Sequence, residues 1–171
     1  MLKKSFSIIE FIVCFSIILI LLVISVPKFF MFNKFILINQ ADKLFSTFSF
    51  LQQKAIASNL TQNLKLNLKE NSYCYDNKIF KLVDNVKFGF LSGVKGPPSN
   101  PIKNIDSAIS FEKINDFEYN VIFYSDGKIK PGTLYLVDKD HKFMAALTCP
   151  ISQVSFIRKY KYDNNKWICL K

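Results

Sequence analysis

Only one histidine, one tryptophan and five glycines occur in this chain of 171 residues. The single histidine, His141, sits in the run Asp138-Lys139-Asp140-His141 and leaves no imidazole pair for a metal or a proton relay. No cysteine spacing matches a zinc site, so no metal is expected and the run reads as a surface turn. The few glycines form no phosphate-cradling loop, and no serine stands on a nucleophile elbow. Asp126, beside Gly127, has no acid or base partner that the sequence identifies; local backbone hydrogen bonding in a turn suits it better than catalysis. The chain is therefore expected to have no enzymatic activity and no cofactor.

Charge is missing from one stretch. Between Lys4 and Lys28 the only charged side chain is Glu10, followed by the uncharged, largely apolar run that begins Phe11-Ile12-Val13 and ends at Val26-Pro27. A helix over Phe6 to Val26 rises about 31 Å, which matches the ~30 Å hydrocarbon thickness of a bilayer. A carboxylate at the head of such a span costs about 2.5 to 3.5 kcal/mol on insertion scales and calls for a partner. The plainer alternative places Glu10 at the membrane surface, snorkelling to water.

The run Ser5-Phe6-Ser7-Ile8-Ile9-Glu10 with the apolar helix behind it resembles the N-terminal segment of type IV pilins and type II secretion pseudopilins. Lys3 and Lys4 correspond to that family's basic leader, Phe6 to the mature N-terminus, Ile8 and Ile9 to its aliphatic pair, and Glu10 to its acid. Pro27 matches a proline common in the family's helix, whereas Ser5 stands where the family has Gly. The resemblance implies that a prepilin peptidase cleaves between Ser5 and Phe6 and methylates the new Phe6 amine. It also implies that Glu10 neutralises the amine of a neighbouring subunit during filament assembly. Two other readings compete: a secretory signal peptide cut after Val23-Ile24-Ser25, and an uncleaved signal anchor oriented by Lys3 and Lys4.

After Pro27 the apolar positions become periodic. Leu37, Ala41, Leu44, Phe48, Leu51 and Ala55 follow steps of four and three, one face of a helix, while Gln40, Asp42, Lys43, Gln52, Gln53 and Lys54 fall elsewhere; Asn59 reads as the stop. Alternation then takes over at Leu64, Leu66 and Leu68. A turn at Asp76-Asn77 joins strands over Ser72 to Tyr75 and Lys78 to Leu82, and Val86, Phe88 and Phe90 form another set. Gly93 to Pro101 is the strongest loop signal and is expected at the surface. Strands resume over Ser107 to Phe111, Tyr119 to Tyr124, Gly132 to Val137, Phe143 to Thr148 and Val154 to Tyr162, and read as an antiparallel meander. The stretch Val121 to Lys128 with Gly132 to Leu136 resembles the pseudopilin H and FimT branch, in which a hydrophobic strand ends in an Asp-Gly turn.

The expected architecture is α+β, pilin-like: a leader (1–5), a membrane and assembly helix (6–27), its amphipathic continuation (28–58), and an antiparallel β-rich periplasmic domain (59–171). At that length a second domain is not expected. The expected location is the inner membrane, with a single span and the β domain in the periplasm or outside the cell. The expected partners are the peptidase, other pilins or pseudopilins, the membrane, and secreted substrate or DNA. The formal net charge of +10 permits anionic partners without choosing among them. Arg158, Lys159, Lys161, Lys166 and Lys171 are the candidate phosphate contacts of a DNA-binding alternative, since related FimT-type subunits take part in DNA uptake. A third alternative is a secreted or anchored β domain with no assembly role. In an oxidising periplasm two of Cys74, Cys149 and Cys169 are expected to pair; Cys149 with Cys169 is favoured, and Cys74 with either is the alternative. Cys14, within the apolar helix, reads as a small hydrophobe.

Overall fold

The computed structural model describes residues 7–98, 101–151 and 156–170, with the side chains of residues 24–31 outside that description. One long helix, α1 (Ile8–Ser58), precedes ten strands. Its start is a capping box: the Ser7 side chain accepts from Ile9 N at 3.3 Å, and Ser7 N donates to Glu10 Oε2 at 2.9 Å. Two backbone donors that would otherwise lack partners are thereby satisfied. The helix stops at Asn59, as the sequence suggested, in the left-handed conformation (φ 52°).

All six residues of the expected stripe, Leu37, Ala41, Leu44, Phe48, Leu51 and Ala55, are at most 1% exposed. Phe48 anchors them, its ring set edge-on to Phe123 (5.6 Å between centroids) and to Phe111 (6.0 Å). Gln40, assigned to the polar side by periodicity, is only 3% exposed.

The strands are β1 (Gln62–Asn67), β2 (Ser72–Tyr75), β3 (Lys78–Lys81), β4 (Val86–Phe88), β5 (Glu112–Lys113), β6 (Glu118–Phe123), β7 (Gly132–Asp138), β8 (Met144–Cys149), β9 (Arg158–Asp163) and β10 (Lys166–Leu170). They form two antiparallel five-stranded sheets, β3-β2-β1-β6-β5 and β10-β9-β8-β7-β4, and α1 packs on both. The α+β expectation holds, but the single meander does not: β6 and β7 belong to different sheets. The Asp-Gly turn closes a short hairpin within the first sheet, with Phe123 bridged to Ile129, and the chain then crosses at Pro131 into the second. Gly132 makes that crossing fit, because a Cβ there would run into the Phe111 ring.

Three further differences have local causes. The strand expected over Ser107 to Phe111 is reduced to one bridge, Ile109 to Leu134. The Gly93–Pro101 loop is not a free surface connection: Gly96 and Pro97 are buried, and Leu91, Val94 and Ile105 cover the face of the second sheet turned away from α1. The indole N–H of Trp167 holds this loop by donating to Lys95 O at 2.9 Å. Finally, β10 was not expected. It is made by Asn164-Asn165, both at positive φ (48° and 60°), which repeats the Asp76-Asn77 turn (49° and 60°) and meets the requirement of a tight two-residue hairpin.

Candidate functional site

From Ile8 to Val23 the side chains of α1 are exposed. Ile8, Ile9, Phe11, Ile12, Val13 and the apolar residues on to Val23 are about half exposed or more on every side. Isoleucine, leucine and phenylalanine gain nothing from water, so this exposed apolar surface is a candidate site of interaction. Among the described residues no helix is long and apolar enough to cross a membrane. The span read from sequence, Phe6 to Val26, extends past the described side chains at both ends. Ser5 and Phe6, the cleavage and methylation residues, likewise lie outside the described residues.

Glu10 stands at the N-terminal end of this segment, its carboxylate turned back onto Ser7 N. The charge therefore sits at the positive end of the helix dipole and already accepts one charge-assisted hydrogen bond. Sequence reading sought a partner for Glu10 only in another subunit and missed this one, although Ser7-x-x-Glu10 is the signature of a capping box.

The second half of α1 is fastened to the sheets by polar ties along the stripe. Asn33 Nδ2 donates to Asp140 Oδ2 at 3.1 Å, Lys34 Nζ lies 2.6 Å from Asp163, Asp42 is paired with Lys159, Gln52 donates to Gly127 O at 2.7 Å, and Lys54 Nζ lies 2.5 Å from Asp76. The ammonium of Lys34 holds the Asp163 carboxyl below its ordinary value, chiefly through that hydrogen bond. None of these ties could be read from periodicity, since each joins residues far apart in sequence.

The basic candidates do not converge. Arg158 projects from the face of β9 turned away from α1, its guanidinium 4.4 Å from the centre of the Phe156 ring. Lys159 and Lys161 point to the opposite face, one engaged by Asp42 and the other 3.9 Å from Asp163. Lys166 is exposed, and Lys171 lies outside the described residues. Alternation along β9 thus splits what looked in sequence like one cluster.

The favoured disulfide is also excluded, and all four cysteines are free. Cys149 is on β8 and Cys169 on β10, with β9 between; Cys169 stands opposite Tyr160, and Tyr160 opposite Ala146. Two strand spacings and three steps along a strand put the two Cα atoms ~14 Å apart, beyond bridging distance. Cys149 faces the core beside Leu147, whereas Cys169 shares the other face with Ala146. Cys74, opposite Lys65 and Ile79, lies in the other sheet. Burial pushes the Cys149 thiol up to about 12. Among the described residues no cluster of three or more metal-ligating side chains occurs.

No protein-family model matches the chain, and no curated protein matches it. Among solved structures it is similar to the minor pseudopilin EpsH from the Type 2 Secretion System of Vibrio cholerae, with a TM-score of 0.46 and 12% identity. That match covers 72% of this chain and 94% of that chain.

Proposed function

We propose that the chain is a minor pseudopilin or pilin-like subunit, a structural protein that enters a helical filament of a type II secretion or type IV pilus machine. One observation carries this reading: α1 is a single 51-residue helix with two surroundings, bare and apolar from Ile8 to Val23 and packed on two sheets from Leu37 to Ala55. Such a helix can wait in a bilayer and later exchange lipid for the helices of other subunits without refolding, because the domain holds its other half. The N-terminal motif Lys3-Lys4-Ser5-Phe6 with Glu10 supports the same reading. A prepilin peptidase would cut between Ser5 and Phe6, methylate the amine, and leave the subunit in the inner membrane with its β domain in the periplasm. Glu10 would then pair with the Phe6 amine of a neighbour, its charge held ready by Ser7.

Mass spectrometry of the mature N-terminus tests this directly. N-methyl-Phe6 is the expected terminus; Val26 would mark a cleaved signal peptide and Met1 an anchor, and either would overturn the proposal.

A further inference from the structure

No spacer separates the β domain from the exposed half of the helix. Among the described residues its first ties are at Asn33 and Lys34, to Asp140 and Asp163. From Ile8 to Lys34 the helix rises about 39 Å. A bilayer is ~30 Å thick in hydrocarbon and ~40–45 Å with its headgroups, so a helix that spans from Ile8 brings Lys34 out within the far headgroup layer. Whatever Asn33 and Lys34 hold is brought there too.

Three segments meet at that end of the second sheet: the β7–β8 turn, the β9–β10 turn and the approach to β4. Lys139 N donates to Asn85 O at 2.9 Å, and Val137, Met144, Tyr162 and Trp167 stand level across four strands. Lys87, Lys95, Lys139, Lys142 and Lys166 are exposed around it. Of the carboxylates at this end, Asp138 is buried and Asp163 is engaged by Lys34, which leaves Asp84 and Asp140, the latter held by the neutral amide of Asn33, against the five lysines. Among the described residues Lys87, Lys95, Lys139 and Lys166 enter no ion pair. Toward the far end of the domain Lys54 is matched to Asp76, Lys128 to Asp126 and Lys130 to Glu112, and among the described residues there Lys78 enters no ion pair. Between Lys95 and Lys166 an open cleft of about 620 Å³ is walled by Tyr162 and Trp167. Phe32 and Phe35 are exposed on the adjoining turn of α1.

Resting on the spanning reading of α1, we propose that this end of the β domain lies on an anionic lipid surface, with Lys87, Lys139 and Lys142 against the headgroups and the Lys95–Lys166 cleft taking one phospholipid headgroup. The chemistry is that of a juxtamembrane basic surface: lysines attracted to anionic headgroups, and amphipathic aromatics that favour the interface. The domain is then seated before assembly, its far end turned away from the bilayer.

The test uses the full chain reconstituted into vesicles of phosphatidylcholine, alone or mixed with phosphatidylglycerol, with amide hydrogen exchange followed over residues 84–87, 139–143 and 164–166. Exchange several-fold slower on the anionic vesicles is expected, with the difference abolished by high salt and by Lys87→Gln/Lys139→Gln/Lys142→Gln but retained in the far-end control Lys78→Gln/Lys128→Gln. Equal exchange on both vesicles, in a chain that resists carbonate extraction, overturns the proposal and leaves the spanning reading intact. Extraction from both vesicles by carbonate overturns the spanning reading and the proposal together. Protection by duplex DNA on neutral vesicles, with no effect of anionic lipid, overturns it in favour of a nucleic-acid partner.

Discussion

Glu10 serves two purposes that a substitution can separate. Its carboxylate closes the capping box on Ser7 N, and in the proposed filament it neutralises a neighbour's amine. Glutamine retains the capping geometry and loses the charge; alanine loses both. Glu10→Gln and Glu10→Ala should therefore both insert normally in membranes and both be depleted from isolated filaments by tenfold or more, about 1.4 kcal/mol of assembly energy. Filament incorporation of Glu10→Gln at the wild-type level would show that only the cap matters. The cysteines offer a second test at this scale. The thiolate is the reactive form, so the buried Cys149, pushed up to about 12, should resist iodoacetamide at pH 8 in the folded chain while exposed Cys169 is labelled, and denaturant should make the two alike. The scarcity of glycine is resolved residue by residue as well: Asn59, Asn71, Asn77, Asn164 and Asn165 take left-handed positions that glycine often fills, because their short amides bond locally and tolerate positive φ.

Among the elements, the second half of α1 was the most legible in sequence, because steps of four and three admit only one buried face. Phe48 lies at its centre, and Phe48→Ala should cost about 3–5 kcal/mol, measurable by chemical denaturation in detergent. The Asp76-Asn77 hairpin is legible from its turn chemistry, and Asn164-Asn165 carries a similar signal for β10. What alternation cannot encode is which sheet a strand joins; β6 and β7 have the same period-two pattern, and only Pro131 and the space Gly132 leaves for Phe111 mark the crossing. The ties between helix and sheets add a pH dependence. Asp163 titrates below its ordinary value in the folded chain, so its contribution is complete above the unfolded pKa of 3.8 and is lost as pH falls through the lower folded value. Thermal melts of Asp163→Asn should accordingly decline less steeply than wild type as pH is lowered from about 5 toward 2.

For the whole molecule, the basic composition left a nucleic-acid reading open, and the fold reduces its support by turning Lys159 and Lys161 inward to Asp42 and Asp163. Lys159→Gln should lower the melting temperature while leaving DNA retention in a low-salt filter assay unchanged; a clear loss of retention would restore Lys159 as a phosphate contact. The five ties from Asn33 to Lys54 also have a mechanical consequence. They make the packed half of α1 a pole clamped along its length to the domain, so the domain follows any tilt of that pole. From Asn33 to Ser58 that pole is about 38 Å long, and a tilt of ~20°, ordinary for a membrane helix, would swing its tip by about 13 Å. The Asp126-Gly127 turn, seated against Ile56 at the tip, would travel with it, so a small change in how the near end of the pole stands becomes a large displacement at the far one.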